Sequence, residues 1–244
     1  MTYVGRERVG RAAQVRALDA AAIRERGVPS AVLMESASRA ATDEAERLLA
    51  QAGASGPAVV LCGSGNNGGD GLALARTLWN RGHAAVVVRV GAGFDARGRL
   101  GPDVQLQLQL LPEPLTDTAL DLRADGAGLP RVEAALDSAG LVVDALFGTG
   151  LTREVGGEFA AALEACARCT APRLAIDLPS GLHADTGALL GPVPVFEATV
   201  TFACWKPGLL AGEGPRVAGR VEVAEIGIPR DLVERLDRVD GSPA

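Results

Sequence analysis

The residues best equipped for chemistry lie in three short stretches. Gly63-Ser64-Gly65-Asn66-Asn67-Gly68-Gly69-Asp70-Gly71 holds five glycines in nine residues, with two amides and a carboxylate between them. So little side-chain bulk lets backbone N–H groups approach an anion, with a helix N-terminus predicted behind them. Asparagine and aspartate exceed what a plain turn needs. The Lys-Ser/Thr of a P-loop is missing, and the match of Gly63, Gly65 and Gly68 to G-x-G-x-x-G is weak alone. The other two stretches are LVVDALFGTGL (141–151), with Asp144, and LAIDLPSGLHADTG (174–187), with Asp177 and Ser180. Two carboxylates, two amides and a hydroxyl make an oxygen-rich set suited to a hard cation. The set also contains a candidate general acid/base. The competing reading has Asp144 and Asp177 merely capping turns, and Pro179 and Gly181 favour some turn role.

For these stretches to meet, each must follow a strand of one parallel sheet. PAVVLC (57–62), AAVVVRV (84–90), LVVDAL (141–146) and RLAIDL (173–178) are short apolar runs of the kind buried on both faces. LALARTLWNRG (72–82), closed by Gly82, and a segment at 157–169 have helical character between them. Strands alternating with helices predict an α/β fold, a Rossmann-like three-layer αβα sandwich with a mostly parallel central sheet. Ligands of such sheets sit outside the C-terminal strand ends, where all three stretches fall. VQLQLQLL (104–111) alternates like a strand, but the βαβ rhythm assigns it to a helix. ATVTF (198–202) and GRVEVAEI (219–226) read as late strands.

Ahead of the sheet, residues 14–26 predict a helix with Val15, Leu18, Ala22 and Ile23 on one face and a stop at Gly27 and Pro29. Ser30 is the expected cap of a second helix burying Leu33, Met34, Ala37, Ala41, Ala45 and Leu48. The organisation expected is one domain over 1–244, with N-terminal helices at about 12–50, an α/β core at about 56–230 and a polar, frayed tail at about 236–244.

Composition narrows the class. Of 244 residues, 48% are hydrophobic and 22% charged, an ordinary globular balance, and at 3% aromatic the core must be built from Ala, Val and Leu. A net charge of −6 argues against nucleic acid as a partner. The chain has no apolar run long enough to span a membrane and no secretory core near its N-terminus, which predicts a cytoplasmic location. Cys166 and Cys169 form a C-x-x-C, but His83 and His183 lack metal-site spacing, so the pair reads as small helix-face residues.

The three stretches, in this order, resemble the signatures of the NAD(P)HX epimerase family, the YjeF N-terminal domain. LDAAAIRERGVPSAVLMESASRAA (18–41) resembles its N-terminal helices, and TVTFACWKPGLL (199–210) and VEVAEIGIP (221–229) its closing strands. The resemblance implies an isomerase of nicotinamide cofactor repair that interconverts the R and S epimers of NADHX and NADPHX. It implies a potassium ion at Asn67, Asp144 and Ser180. Substrate contacts fall on Asn66, Asn67, Gly68, Gly69 and Asp70, on Gly148, Thr149, Gly150, Leu151, Thr152, Arg153 and Glu154, and on Asp177, which is the expected acid/base. It further implies a homodimer and a functional partner in an ADP- or ATP-dependent NAD(P)HX dehydratase.

Three departures stand out. Ser36 and Glu225 replace residues usual in the family, and the 148–154 loop has no lysine, which leaves a second proton-handling group unassigned. Arg153 and Glu154 are nearby candidates, and Lys206 is either a solvated loop residue or a ligand contact. Three other classes compete, one of them a phosphoryl-transfer enzyme of the sugar-kinase type, the shape of the dehydratase domain to which many relatives in the resembled family are fused. A non-catalytic binding or scaffold module could share this fold, but the Asn-Asn-Gly-Gly-Asp and Asp-Leu-Pro-Ser-Gly segments are intact. A dehydrogenase would carry an acid at the end of its second strand. Here Arg89 stands there, with no acid before Asp95, and it suits a 2′-phosphate, so both NADHX and NADPHX stay open as substrates.

Overall fold

A computed structural model describes residues 3–53, 55–95 and 100–239. The strands are β1 (Arg8–Val9), β2 (Ala58–Cys62), β3 (Ala85–Val90), β4 (Leu120–Leu122), β5 (Leu141–Ala145), β6 (Arg173–Ile176), β7 (Ala198–Phe202), β8 (Arg220–Ala224) and β9 (Asp237–Arg238). The helices are α1 (Ala12–Arg24), α2 (Ser30–Ala52), α3 (Asn66–Asn80), α4 (Pro102–Gln109), α5 (Glu113–Asp117), α6 (Leu129–Asp137) and α7 (Gly157–Arg168), then the short α8 (Pro207–Leu210), α9 (Gly214–Val217) and α10 (Arg230–Val233).

Seven strands form one sheet in the order β4-β3-β2-β5-β6-β7-β8. Every pairing in it is parallel. The sheet is therefore wholly parallel, and the α/β reading holds. Alternation along β2 shows why both faces need cover: Val60 and Cys62 join a cluster with α2 and α3, while Val59 and Leu61 join one with α6 and α7. Chain order reverses between β2 and β5, which opens a crevice beyond their C-terminal ends.

α2 buries the six residues expected of it. Its start differs: Pro29 holds the cap position and Ser30 is already helical, because proline supplies the extended backbone before the first turn. On α1, Val15, Leu18 and Ala22 are buried but Ile23 is 37% exposed. The alternating run is helical over 104–109 in α4, as the rhythm required, and leaves the helix at Leu110 and Leu111. The C-terminal stretch does not fray at 236, since Asp237 and Arg238 pair antiparallel with Val9 and Arg8; residues 240–244 of the expected tail lie outside the described residues. Cys166 and Cys169 are buried thiols at the end of α7. Among the described residues, no group of three His, Cys, Asp or Glu could hold a metal, and no helix is long and apolar enough to cross a membrane.

Candidate functional site

The glycine-rich stretch differs from the loop the sequence suggested. α3 begins at Asn66, with Gly65 in the cap position, so Gly68, Gly69, Asp70 and Gly71 lie in its first turns. The first helical hydrogen bond runs from the Gly69 N–H to the Gly65 carbonyl, which leaves the N–H groups of Asn66, Asn67 and Gly68 at the open helix end. The glycines permit close packing. A Cβ at Gly68 would lie 1.6 Å from the Gly63 carbonyl oxygen, and one at Gly71 2.5 Å from the Ala145 Cβ. Helix and sheet thus meet where glycine's low helix propensity had hidden the helix.

A cavity of about 600 Å³ opens at the switch point, within the usual range for a small-molecule site. Asn66, Asn67, Asp70 and Asp177 line it, together with Gly148 through Arg153. Gly68 and Gly69 are buried beneath it, and exposed Glu154 falls outside its lining. Asp144 and Ser180 are buried behind the wall rather than in it, at 0% and 1% exposure. Arg89 faces elsewhere: its guanidinium is bidentate to Asp121 at 2.8 Å per contact, and Asp95 pairs with Arg123.

Asp177 follows β6 with φ at +65°, a left-handed conformation that aspartate adopts more readily than most residues. Its N–H donates to the Val200 carbonyl, which fixes the bend against β7. One carboxylate oxygen is 2.7 Å from the Lys206 Nζ, and the other accepts the Thr149 N–H at 3.1 Å. A Cβ on Gly148 would approach that second oxygen to 2.6 Å, so glycine is required there.

The sequence left Lys206 open between a solvated loop residue and a ligand contact, and the structure buries it against Asp177. It is 0% exposed, and its ammonium also donates to the Thr201 hydroxyl (2.8 Å) and the Phe202 carbonyl (2.7 Å). All three ammonium protons are engaged. A lone lysine between Trp205 and Pro207 carries no periodic signal of burial; only the return of the chain under the cavity shows it. α1 and α4 add further lining residues, Arg16 and Asp19 from the first and Asp103 from the second, with Ser30 donating to Asp103. Asp70 is buried, and burial together with Asp177, Asp19 and Asp103 pushes its carboxyl well above the usual range.

Behind the cavity, Asp144 accepts the Ser180 hydroxyl (2.7 Å), the Ser180 N–H (2.8 Å) and the Leu146 N–H (3.1 Å). Burial pushes its carboxyl up to about 6 against the pull of these donors. Among the described residues no cationic side chain pairs with it. The Ser180 hydroxyl also accepts the Phe147 N–H, linking the pair to Gly148 and so to Asn67, whose amide nitrogen is buried without a partner. Turning that amide exchanges nitrogen for oxygen. A fully buried carboxylate without a counter-charge, a hydroxyl and an unpartnered amide fit an oxygen-liganded cation.

The profile of the family described as YjeF-related protein N-terminus matches residues 30–208, more than half of the chain. The chain belongs to this family. The YjeF-type helix start, rim aspartates and buried lysine all fall between those bounds, whereas α1 lies ahead of them. A protein of Limosilactobacillus fermentum named NAD(P)H-hydrate epimerase is 38% identical over 88% of this chain and 94% of its own length. One of Moorella thermoacetica, named bifunctional NAD(P)H-hydrate repair enzyme Nnr, is 40% identical over 91% of this chain, which spans only 41% of that protein. The crystal structure of yeast ynu0, YNL200c, superposes with a TM-score of 0.74 over 93% of this chain and 92% of the yeast chain at 22% identity, and so shares the YjeF-type fold.

Proposed function

We propose that this chain is an NAD(P)H-hydrate epimerase, an isomerase that interconverts the R and S epimers of NADHX and NADPHX. The observation that carries this reading is the Asp177–Lys206 pair at the wall of the switch-point cavity, in a chain that matches nearly the full length of a protein so named. The substrate bears a hydroxyl on C6 of a reduced nicotinamide ring, beside the ring nitrogen. Inversion needs that oxygen to leave one face and an oxygen to return on the other. Asp177 is the acid/base of this step: it protonates the leaving oxygen and accepts a proton from the returning water. Such catalysis contributes roughly 10²–10⁴-fold. Lys206 and the Thr149 N–H hold its carboxylate in place. The open end of α3 and the Gly148–Glu154 loop bind the ligand, which adds a proximity effect.

Asn67, Asp144 and Ser180 would hold a potassium ion, which when bound supplies fixed positive charge beside the ligand's oxygens. The bifunctional name of the Moorella relative supports coupling to an ADP- or ATP-dependent dehydratase, on the same chain or another. A homodimer in the cytoplasm completes the proposal, and a monomer mass by light scattering would remove its dimeric part.

The test starts from mixed NADHX epimers treated with an S-specific dehydratase and its nucleotide until repair stalls. Adding this protein should speed the recovery of NADH absorbance above the spontaneous rate. Ligand binding without acceleration would make the chain a binding module on this fold.

A further inference from the structure

Asp19 lies on α1, outside the matched family region and outside every segment that the motifs assigned to the site. Residues 16, 19 and 23 share one helix face and line the cavity, while Val15, Leu18 and Ala22 also pack into the core. α1 is tied over the rim at its start, where the Ala12 N–H donates to the Asp185 carboxylate at 2.7 Å. Among the described residues the Asp19 side chain makes no hydrogen bond and no ion pair, so no local bond accounts for a carboxyl half-buried on the wall of this cavity.

Its surroundings complement those of Asp177. It shares the cavity wall with Asp177 at the end of β6, Lys206 after β7, Asp70 on α3, Asp103 on α4, Arg153 and, on its own helix, Arg16. Lys206 is committed to Asp177 at 2.7 Å. Burial pushes Asp19 up to about 6, with Lys206 opposing and Asp177 adding to the rise. Two carboxyls in one cavity with unlike environments are the arrangement that divides acid from base.

We propose that Asp19 is a second proton-handling carboxyl of this site, giving a proton to the departing hydroxyl while ion-paired Asp177 takes one from the returning water. This rests on the epimerase reading above and divides between two carboxyls the proton transfers assigned there to Asp177 alone, because Asp177 is held ionised by Lys206 and suits the accepting step. The C6–O bond breaks as Asp19 delivers its proton, and water leaves. The ring-nitrogen lone pair forms a C=N bond to C6. A water adds to the opposite face, the C=N electrons return to nitrogen, and Asp177 accepts the surplus proton. That proton passes back to Asp19 through solvent at the cavity mouth, so nothing is oxidised or reduced. In the reverse direction the two carboxyls exchange roles.

The test uses the full chain, mixed NADHX epimers and pH profiles of the enzyme-dependent rate. Wild type should lose rate about tenfold per pH unit above about 6, as Asp19 gives up its proton. Asp19→Asn should bind NADHX within about threefold of wild type, epimerise roughly 10²–10⁴-fold more slowly, and lack that descent. Asp19→Glu should recover part of the rate and keep a descent at a displaced pH. Full activity in Asp19→Asn overturns the proposal. So does a slowed variant whose descent stays where the wild type has it, since that marks a structural role. If Asp19→Asn melts without cooperativity, Asp19→Glu decides, and an unmoved descent overturns the proposal. A wild-type protein with no rate above background refutes the epimerase reading instead, so the two failures are distinguishable.

Discussion

Replacing Lys206 with methionine removes the buried charge beside Asp177 while keeping most of the apolar stem. Lys206 is 0% exposed and Asp177 8%, so solvent screens the pair little. Taking one partner from a buried ion pair costs about 3–5 kcal/mol, because the remaining charge is left unpaired. The Phe202 carbonyl and Thr201 hydroxyl also lose a donor, and the methionine stem's packing offsets part of that loss. A net cost of about 4 kcal/mol is a large share of the 5–15 kcal/mol typical of native proteins. At roughly 2–4 °C per kcal/mol for this size, the midpoint should fall by about 8–16 °C. In an Asp177→Asn background the ammonium already lacks its counter-charge, so the same change strands no carboxylate and should cost at most about 1–2 kcal/mol for the lost Thr201 and Phe202 bonds. Urea unfolding of the four proteins then yields a coupling of about 2–3 kcal/mol. Coupling below about 0.5 kcal/mol would show that the pair contributes nothing specific, and would refute the reasoning.

Three further outcomes follow from the same geometry. Gly148→Ala should displace Asp177, whose oxygen would lie 2.6 Å from the new Cβ, and steady-state kinetics should show roughly a 10²-fold loss in kcat with cooperative unfolding retained. Gly68→Ala places a Cβ 1.6 Å from a backbone carbonyl, and denaturation should register about 3 kcal/mol or more of destabilisation. Asp144→Asn removes the buried charge proposed to hold potassium, so exchanging potassium for lithium should alter the activity of wild type and not of this variant.

Most of the sheet was legible because its strands are short runs rich in apolar and β-branched residues; PAVVLC and ATVTF needed at most a one-residue trim. Leu120–Leu122 was not, since a three-residue strand carries too little periodicity. The start of α3 was hidden because Asn-Asn-Gly-Gly-Asp-Gly opposes helix by local propensity, and only contact with Gly63 and Ala145 overrides it. Asp144, Asp177 and Ser180 could be placed near one another because parallel strands bring their C-terminal ends to one rim. Lys206 and Asp19 could not. Each reaches Asp177 through long-range packing, one after β7 and the other from a helix ahead of the sheet. Ile23 illustrates the same limit: helical spacing put it on the buried face, but that face ends at the cavity.

The most direct measurement is NADHX binding and NADHX epimerisation by Asp177→Asn, run side by side with wild type. The account predicts binding close to wild type and turnover lower by roughly 10²–10⁴-fold. A variant that binds and epimerises at the wild-type rate would contradict it, since Asp177 would then not be the group that moves the proton.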